Sequence, residues 1–282
     1  MMRIEESWFR GAGGAELRYR VWRMIDEVRA VLVLVHGYGE HSGRYGNLVK
    51  PLVELGYGIY AYDHRGHGES PGDRGHIMSW GDYREDLQRF VSLVQEQEKD
   101  APLFLYGHSM GGLIVLDYSI RHPEGLVGVI VSGPPIQPVG VAEPYQVFLA
   151  KLLSRIRPTY SMSLGFDAPA LSRDEAVVKA YEEDPLVHCV ASVRWGTESL
   201  EAIEWVKTHA EALSLPVLLV HGGADRVSSA KGSRWLFEQL AMEDKTLRVY
   251  PGVYHEPHND LEPEHLVEDV SKWLARHLPE RD

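Results

Sequence analysis

The feature that most narrows the fold is a rhythm. Short β-rich apolar runs at residues 31–35 (VLVLV), 57–62, 102–106 and 126–131 alternate with amphipathic stretches at 44–55 and 80–98 and an apolar helical stretch at 113–120. Within 44–55, Tyr45, Leu48, Leu52 and Leu55 recur at the spacing of one helical face. Strands that are apolar on both faces and separated by helices imply a mostly parallel sheet covered by helices on both sides. The rhythm stops at about 134 and resumes after 212. In between, Pro138, Pro144, Pro158, Pro169 and Pro185 punctuate helices and loops, and no strand is expected. Strands at 215–220 and 245–250, a helix near 230–240 and a last helix over 261–277 complete the pattern. So long an interruption is not a plain loop. It predicts a helical cap, 134–212, inserted into an α/β core formed by 1–133 and 213–282. The cap would sit over the C-terminal edge of the sheet, where open α/β sheets bind ligands.

Composition excludes several partners. The formal net charge of −12 argues against nucleic acid, whose phosphates call for a basic surface. The single cysteine, Cys189, cannot form an internal disulfide and points to a reducing compartment. No stretch approaches the roughly 18 apolar residues of a membrane helix, and the N-terminus has no signal-peptide core. A cytoplasmic protein is expected, with reversible, peripheral membrane contact still open. The unusual number is 14 histidines, which invites a metal or a proton-transfer role.

The sharpest motif is Gly107-His108-Ser109-Met110-Gly111, after an expected strand and before an expected helix. That context defines a nucleophile elbow: serine at the tip of a tight turn, small neighbours letting strand and helix approach. Gly68-Glu69-Ser70-Pro71-Gly72 matches the same pattern but lacks the context, and Pro71 has no N–H to offer an oxyanion. The N–H of Met110 opens the new helix, where donors lack intrahelical partners. A second oxyanion donor is expected after the first apolar strand, in His36-Gly37-Tyr38-Gly39, from the N–H of Tyr38. His36 itself reads as structural, bonding the loop backbone.

A serine needs a base to take its proton, and the base needs an acid to orient it. On an elbow of this kind these follow in the order Ser, Asp or Glu, His, each after a later strand. Asp225, in His221-Gly-Gly-Ala-Asp225, fits the acid. In Tyr254-His255-Glu256-Pro257-His258, His255 is the expected base, with His258 its competitor or a residue lining the mouth of the site. The segment falls one residue short of HExxH, and Pro257 breaks the helix that motif needs. No metal and no cofactor are expected.

Together HGYGEHSGRY (36–45), AYDHRGHGES (61–70), GHSMGG (107–112), GGADRV (222–227) and PGVYHEPHND (251–260) resemble the monoacylglycerol lipase family of the α/β-hydrolase superfamily. That family is often grouped with lysophospholipases and serine aminopeptidase-like hydrolases. The likeness extends into the expected cap, where DAPALSRDEAVVKAYEEDPLV (167–187) is also similar. It implies an α/β-hydrolase fold with a Ser109–Asp225–His255 triad and an oxyanion hole from the N–H groups of Tyr38 and Met110. It further implies a helical cap forming an apolar acyl tunnel, and places Glu40, Arg44 and His258 near the glycerol end of the substrate.

The expected function is a serine hydrolase that cleaves monoacylglycerols to fatty acid and glycerol through an acyl-enzyme. The alternatives are a lysophospholipase or general carboxylesterase with the same triad, or a non-catalytic binder of a small apolar ligand on this scaffold. Within the cap, Tyr145, Phe148, Leu149, Leu152, Leu153 and Ile156 share one helical face, with Lys151, Arg155 and Arg157 elsewhere on the same stretch. Two readings stay open: a lid helix turned to a membrane surface, or an ordinary amphipathic helix packed on the body.

Overall fold

The computed structural model describes residues 2–24, 28–140, 143–163 and 167–278. The chain opens with an antiparallel hairpin, β1 (Met2–Arg10) and β2 (Glu16–Met24). Next come β3 (Ala30–Val35), α1 (Gly46–Glu54), β4 (Tyr57–Tyr62), α2 (Trp80–Gln97), β5 (Leu103–His108), α3 (Met110–Arg121) and β6 (Gly128–Ser132). After a long excursion the pattern resumes with β9 (Val217–Gly222), α7 (Ala230–Gln239), β10 (Lys245–Tyr250) and α8 (Pro263–Arg276). The excursion carries α4 (Pro144–Ile156), β7 (Ser161–Ser163), α5 (Glu175–Glu183), β8 (Val190–Ser192) and α6 (Val193–His209).

Eight strands form one sheet in the order β1-β2-β4-β3-β5-β6-β9-β10, parallel from β4 to β10. This is the α/β-hydrolase arrangement, a mostly parallel sheet with helices on both faces. Strand β3 shows why the sequence demands two covered faces. Val31, Val33 and Val35 pack with Phe90 of α2 and Leu113 of α3, while Ala30, Leu32 and Leu34 pack with Leu48 of α1 and Trp273 of α8. All six residues are buried. The chain runs from β3 outward to β4, then crosses back to β5 on the other side of β3. Strand order reverses there, so the loops after β3 and β5 part above the sheet and leave a crevice.

The structure departs from the sequence reading in particular places. Strands β5 and β9 continue through His108 and through His221-Gly222, beyond the apolar runs, because these residues still pair in the ladder. Residues 44–55 are a short 3-10 turn, Ser42–Tyr45, followed by α1. The stretch with no expected strand holds β7 and β8, three residues each and paired antiparallel. At that length no period can be read. The C-terminal half of α6 joins the main core through Ala202, Ile203 and Val206. Among the described residues no helix is long and apolar enough to cross a membrane.

Candidate active site

The turn between β5 and α3 forces Ser109 into φ 51°, ψ −119°. It is the one described non-glycine residue with positive φ, a conformation that persists only where surroundings impose it. They do so through two glycines. A Cβ on Gly107 would lie 2.4 Å from the carbonyl oxygen of Gly111, and one on Gly111 would lie 2.0 Å from that of Val35. The Ser109 N–H donates to the carbonyl of Ser132 on the neighbouring strand at 2.8 Å, fixing the tip of the turn.

Three predicted residues come together here from loops far apart in the chain. The hydroxyl of Ser109 donates to Nε2 of His255 at 2.9 Å, and Nδ1–H of His255 donates to Oδ2 of Asp225 at 2.7 Å. Asp225 is held on its other oxygen, where Oδ1 accepts the backbone N–H groups of Val227 (2.7 Å) and Ser228 (2.9 Å). A residue the sequence reading did not single out, His221, also reaches it: Nε2 lies 3.1 Å from Asp225 Oδ2 and 2.9 Å from the carbonyl of Ser228. Ser233 anchors the far side of that ring at Nδ1, 2.7 Å away. The GxSxG look-alike is structural, since Ser70 donates to the carbonyl of Asp63 and accepts the N–H of Arg18.

Electrostatics follow from this chain of contacts. Burial alone would push the Asp225 carboxyl up, but His255, helped by His221, holds it well below the usual carboxylate range. Burial alone would lower His255, but Asp225, with smaller contributions from Glu256 and Glu40, raises it above its ordinary value. An imidazole paired in this way accepts a proton from the serine and stabilises the charge it then carries.

The predicted oxyanion donors flank the nucleophile. Met110 is the first residue of α3, and its N–H belongs to the set with no intrahelical acceptor. Tyr38 lines the cavity beside Ser109, whereas the N–H of the preceding Gly37 is taken by Glu40 Oε1 at 2.7 Å. The hydroxyl of Tyr38 donates to the carbonyl of Val190. Nearby contacts tie the same two regions together: His188 N–H to the Gly39 carbonyl (2.9 Å), Ser192 N–H to that of Gly75 (2.9 Å), and His41 to Asp184 (2.9 Å). The cavity at Ser109, walled on that side by Leu171 and Tyr181, keeps a free volume of only about 20 Å³. That is room for about one water.

The residues predicted at the glycerol end sit differently. Of the three, only Glu40 lines the cavity. Arg44 is buried between Glu40 and Glu256. His258 is fully buried, stacked on Tyr45 (ring centroids 4.5 Å, 5° between planes) and edge-on to His108 at 4.8 Å. It neither reaches Ser109 nor lines the cavity, and burial pushes it down to about 4. In this structure His255, not His258, pairs with Ser109. Sequence spacing placed it three residues from His255, but the 3-10 turn Pro257–Asn259 directs its ring inward.

His36 accepts the N–H of His64 (2.9 Å), and its own carbonyl lies 3.0 Å from Nε2 of His64, so the pair braces the loops after β3 and β4. Among the described residues no group of three or more His, Cys, Asp or Glu side chains could hold a metal ion.

Residues 26–262 match the family model Hydrolase_4, described as serine aminopeptidase, S33. The monoacylglycerol lipase of Mycolicibacterium smegmatis is 38% identical over 274 residues, covering 97% of this chain and 98% of that one. The crystal structure of Paleococcus ferrophilus monoacylglycerol lipase is similar at a TM-score of 0.82 and 37% identity, covering 98% and 99% of the two chains. A soluble variant of Saccharomyces cerevisiae monoglyceride lipase, solved with a substrate analog, is similar at a TM-score of 0.88 and 27% identity, covering 97% and 96%.

Proposed function

The chain belongs to the serine aminopeptidase S33 family, Hydrolase_4, in the monoacylglycerol lipase group of α/β-hydrolases, and on that footing we propose that it cleaves monoacylglycerols to fatty acid and glycerol. The observation that carries this reading is the unbroken hydrogen-bonded series Ser109–His255–Asp225 at the C-terminal edge of the sheet, beneath residues of the long excursion.

Ser109 Oγ attacks the ester carbonyl while His255 Nε2 accepts its proton. The carbonyl π electrons move to oxygen, and the N–H groups of Tyr38 and Met110 hold the oxyanion. Asp225 keeps the imidazole in the tautomer whose Nε2 is free and stabilises the imidazolium. Collapse of the tetrahedral species breaks the bond to the glycerol oxygen, which takes the proton from His255. Water then gives a proton to the same histidine as its oxygen attacks the acyl carbonyl, and collapse breaks the bond to Ser109 Oγ, which takes that proton back from His255 as the fatty acid leaves.

Residues 134–212 act in this reading as the cap over the body formed by 1–133 and 213–282. The apolar face of α4 supports transient contact with a lipid surface. Phe148 and Ile156 are each 69% exposed, Tyr145 64%, and Leu149 and Leu152 are exposed beside them. Of the two readings left open by periodicity, this exposure favours the one in which the helix meets lipid. Cytoplasmic placement, with contact only at the membrane periphery, fits a lone and exposed Cys189.

The test is a series of monoacylglycerols of increasing chain length beside lysophosphatidylcholine and an aminoacyl amide, with Ser109→Ala as control. Glycerol and fatty acid should be released from the glycerides, and the variant should lose at least about 10⁴-fold in kcat. Turnover of the other esters or the amide without glyceride turnover would move the assignment to that substrate.

A further inference from the structure

Beside the catalytic chain lies a buried ionic network that the mechanism above does not use. Arg44 is its centre. Nη1 donates to Glu40 Oε2 at 2.8 Å and to Glu256 Oε1 at 2.7 Å, and Nη2 donates to Glu256 Oε2 at 2.9 Å. Glu40 Oε1 accepts the N–H of Gly37 at 2.7 Å and the hydroxyl of Tyr45 at 2.6 Å. Asn259 Nδ2 donates to Glu256 Oε2 at 2.9 Å. Both carboxylates are 2% exposed, and the Arg44 side chain is 9% exposed with its guanidinium 4.7 Å from the centre of the Tyr181 ring.

Every carboxylate oxygen in this network already has a donor from the protein. A substrate hydroxyl would have to displace one, in a setting where breaking a buried charge pair is strongly destabilising. The network's ends also fall at two functional places. Glu40 closes the turn that presents the N–H of Tyr38, and Glu256 directly follows His255. The links run between segments 212 residues apart in the chain.

We propose that Arg44 is a positioning residue, which clamps the oxyanion loop to the segment bearing His255 and so holds base and oxyanion donor in register. The proposal rests on the Ser109–His255 pairing but not on the glyceride as substrate. A shift of about 1 Å between such groups costs on the order of 100-fold in rate.

The clamp is also electrostatic. The groups facing His255 are Asp225 from the loop after β9, Glu256 on its own segment, Glu40 and Arg44 from the stretch after β3, and the buried rings of His108 at 4.9 Å and His258. Both rings are held neutral by burial. Glu256 and Glu40 both favour the imidazolium, and the Arg44 guanidinium, paired with both carboxylates, offsets their charge. Without the guanidinium, the carboxylates hold the proton on His255 more tightly, and the acid limb of activity moves to higher pH. Without the Glu256 carboxylate, it moves to lower pH.

The experiment follows phosphonylation of Ser109 by an alkyl fluorophosphonate against pH, read by intact mass, in wild type, Arg44→Gln, Arg44→Lys and Glu256→Gln. Steady-state kinetics on a monoacylglycerol and on the p-nitrophenyl ester of the same acid run alongside. Arg44→Gln should slow phosphonylation about 10- to 100-fold and lower kcat by a similar factor on both esters, with KM within about twofold. Its acid limb should rise, Arg44→Lys should return the limb towards wild type, and Glu256→Gln should lower it. Wild-type phosphonylation with a loss confined to the glyceride, seen as a raised KM, would overturn the proposal and make Arg44 a glycerol ligand. Acid limbs unmoved in both Arg44→Gln and Glu256→Gln would overturn it too. If Arg44→Gln fails to fold by thermal melting, the opposite-signed Glu256→Gln shift and the Arg44→Lys rates decide alone. Should wild type be phosphonylated yet leave glycerides uncleaved, the substrate reading falls while the Arg44 result stands.

Discussion

At the position of Ser109, backbone strain and proton transfer are solved by different residues. Gly107 and Gly111 hold the left-handed turn, since a methyl group at either would meet a carbonyl oxygen at 2.4 Å or less. Asp225 and His255 form the hydrogen-bonded series along which the proposed proton transfer would run. Replacing Asp225 with Asn keeps the shape but removes the charge that selects the tautomer, so kcat should fall about 10³- to 10⁴-fold. The pH profile adds a signed test. His255 must be neutral to accept the serine proton, and Asp225 raises its pKa. The wild-type kcat/KM should therefore fall on acidification through a pKa above ~6.5, and Asp225→Asn should carry that limb to lower pH. A wild-type limb at or below the ordinary histidine value would contradict the structure. These residues were legible because each sits in a motif only a few residues long, next to a strand end. The Arg44–Glu256 pair was not, because its partners are joined only by the fold. His258 shows the same boundary from the other side: its neighbours in sequence suggested the substrate, but a stack on Tyr45 keeps it inside.

For whole elements, apolar rhythm located the sheet well and its polar parts poorly. Strands β3, β4, β5, β6 and β9 are buried throughout and could be read directly. The hairpin β1–β2 drew no assignment, because β1 is a mostly exposed edge strand whose charged residues obscure the period. Helix α4 was ambiguous for another reason, since periodicity gives an apolar face but not its direction. The structure turns that face outward. The lipid contact proposed for this helix would fall on that exposed face. Replacing Phe148 and Ile156 together with Ser removes apolar area worth about 1.5–3 kcal/mol per side chain when buried. Partition to phosphatidylcholine vesicles, measured by cosedimentation, should weaken by about tenfold or more, and activity on vesicle-borne monoacylglycerol should fall with it. Turnover of a water-soluble short-chain ester should stay within about twofold, and the melting temperature should hold, because neither side chain is in the core. Unchanged partition would show that another surface meets the lipid.

Across the molecule, the histidine count acquires a meaning that catalysis alone does not give it. Only one of the 14 is needed as base, yet His36, His64, His67, His108 and His258 are all buried, and burial holds each below its ordinary pKa. They brace the loops at the C-terminal edge of the sheet through ring contacts such as His36 on His64 at 4.1 Å and His108 against His258 at 4.8 Å. Because each must stay neutral in the folded state, the unfolded chain binds more protons below ~6.5, and stability rises with pH between the folded values and that point. Asp225 and Glu256, held below the usual carboxylate range, act in the same sense at lower pH. Glu40 and Asp86, pushed up by burial, and His255, raised by Asp225, oppose it. Below ~6.5 the five histidines outnumber these opposing groups, and unfolding should take up more than one proton. Urea midpoints should fall as the pH drops below ~6.5, with a nearly constant m-value. Calorimetry in buffers of different ionisation enthalpy would count the protons directly, and an uptake below one would show that these histidines are not held neutral in the folded state.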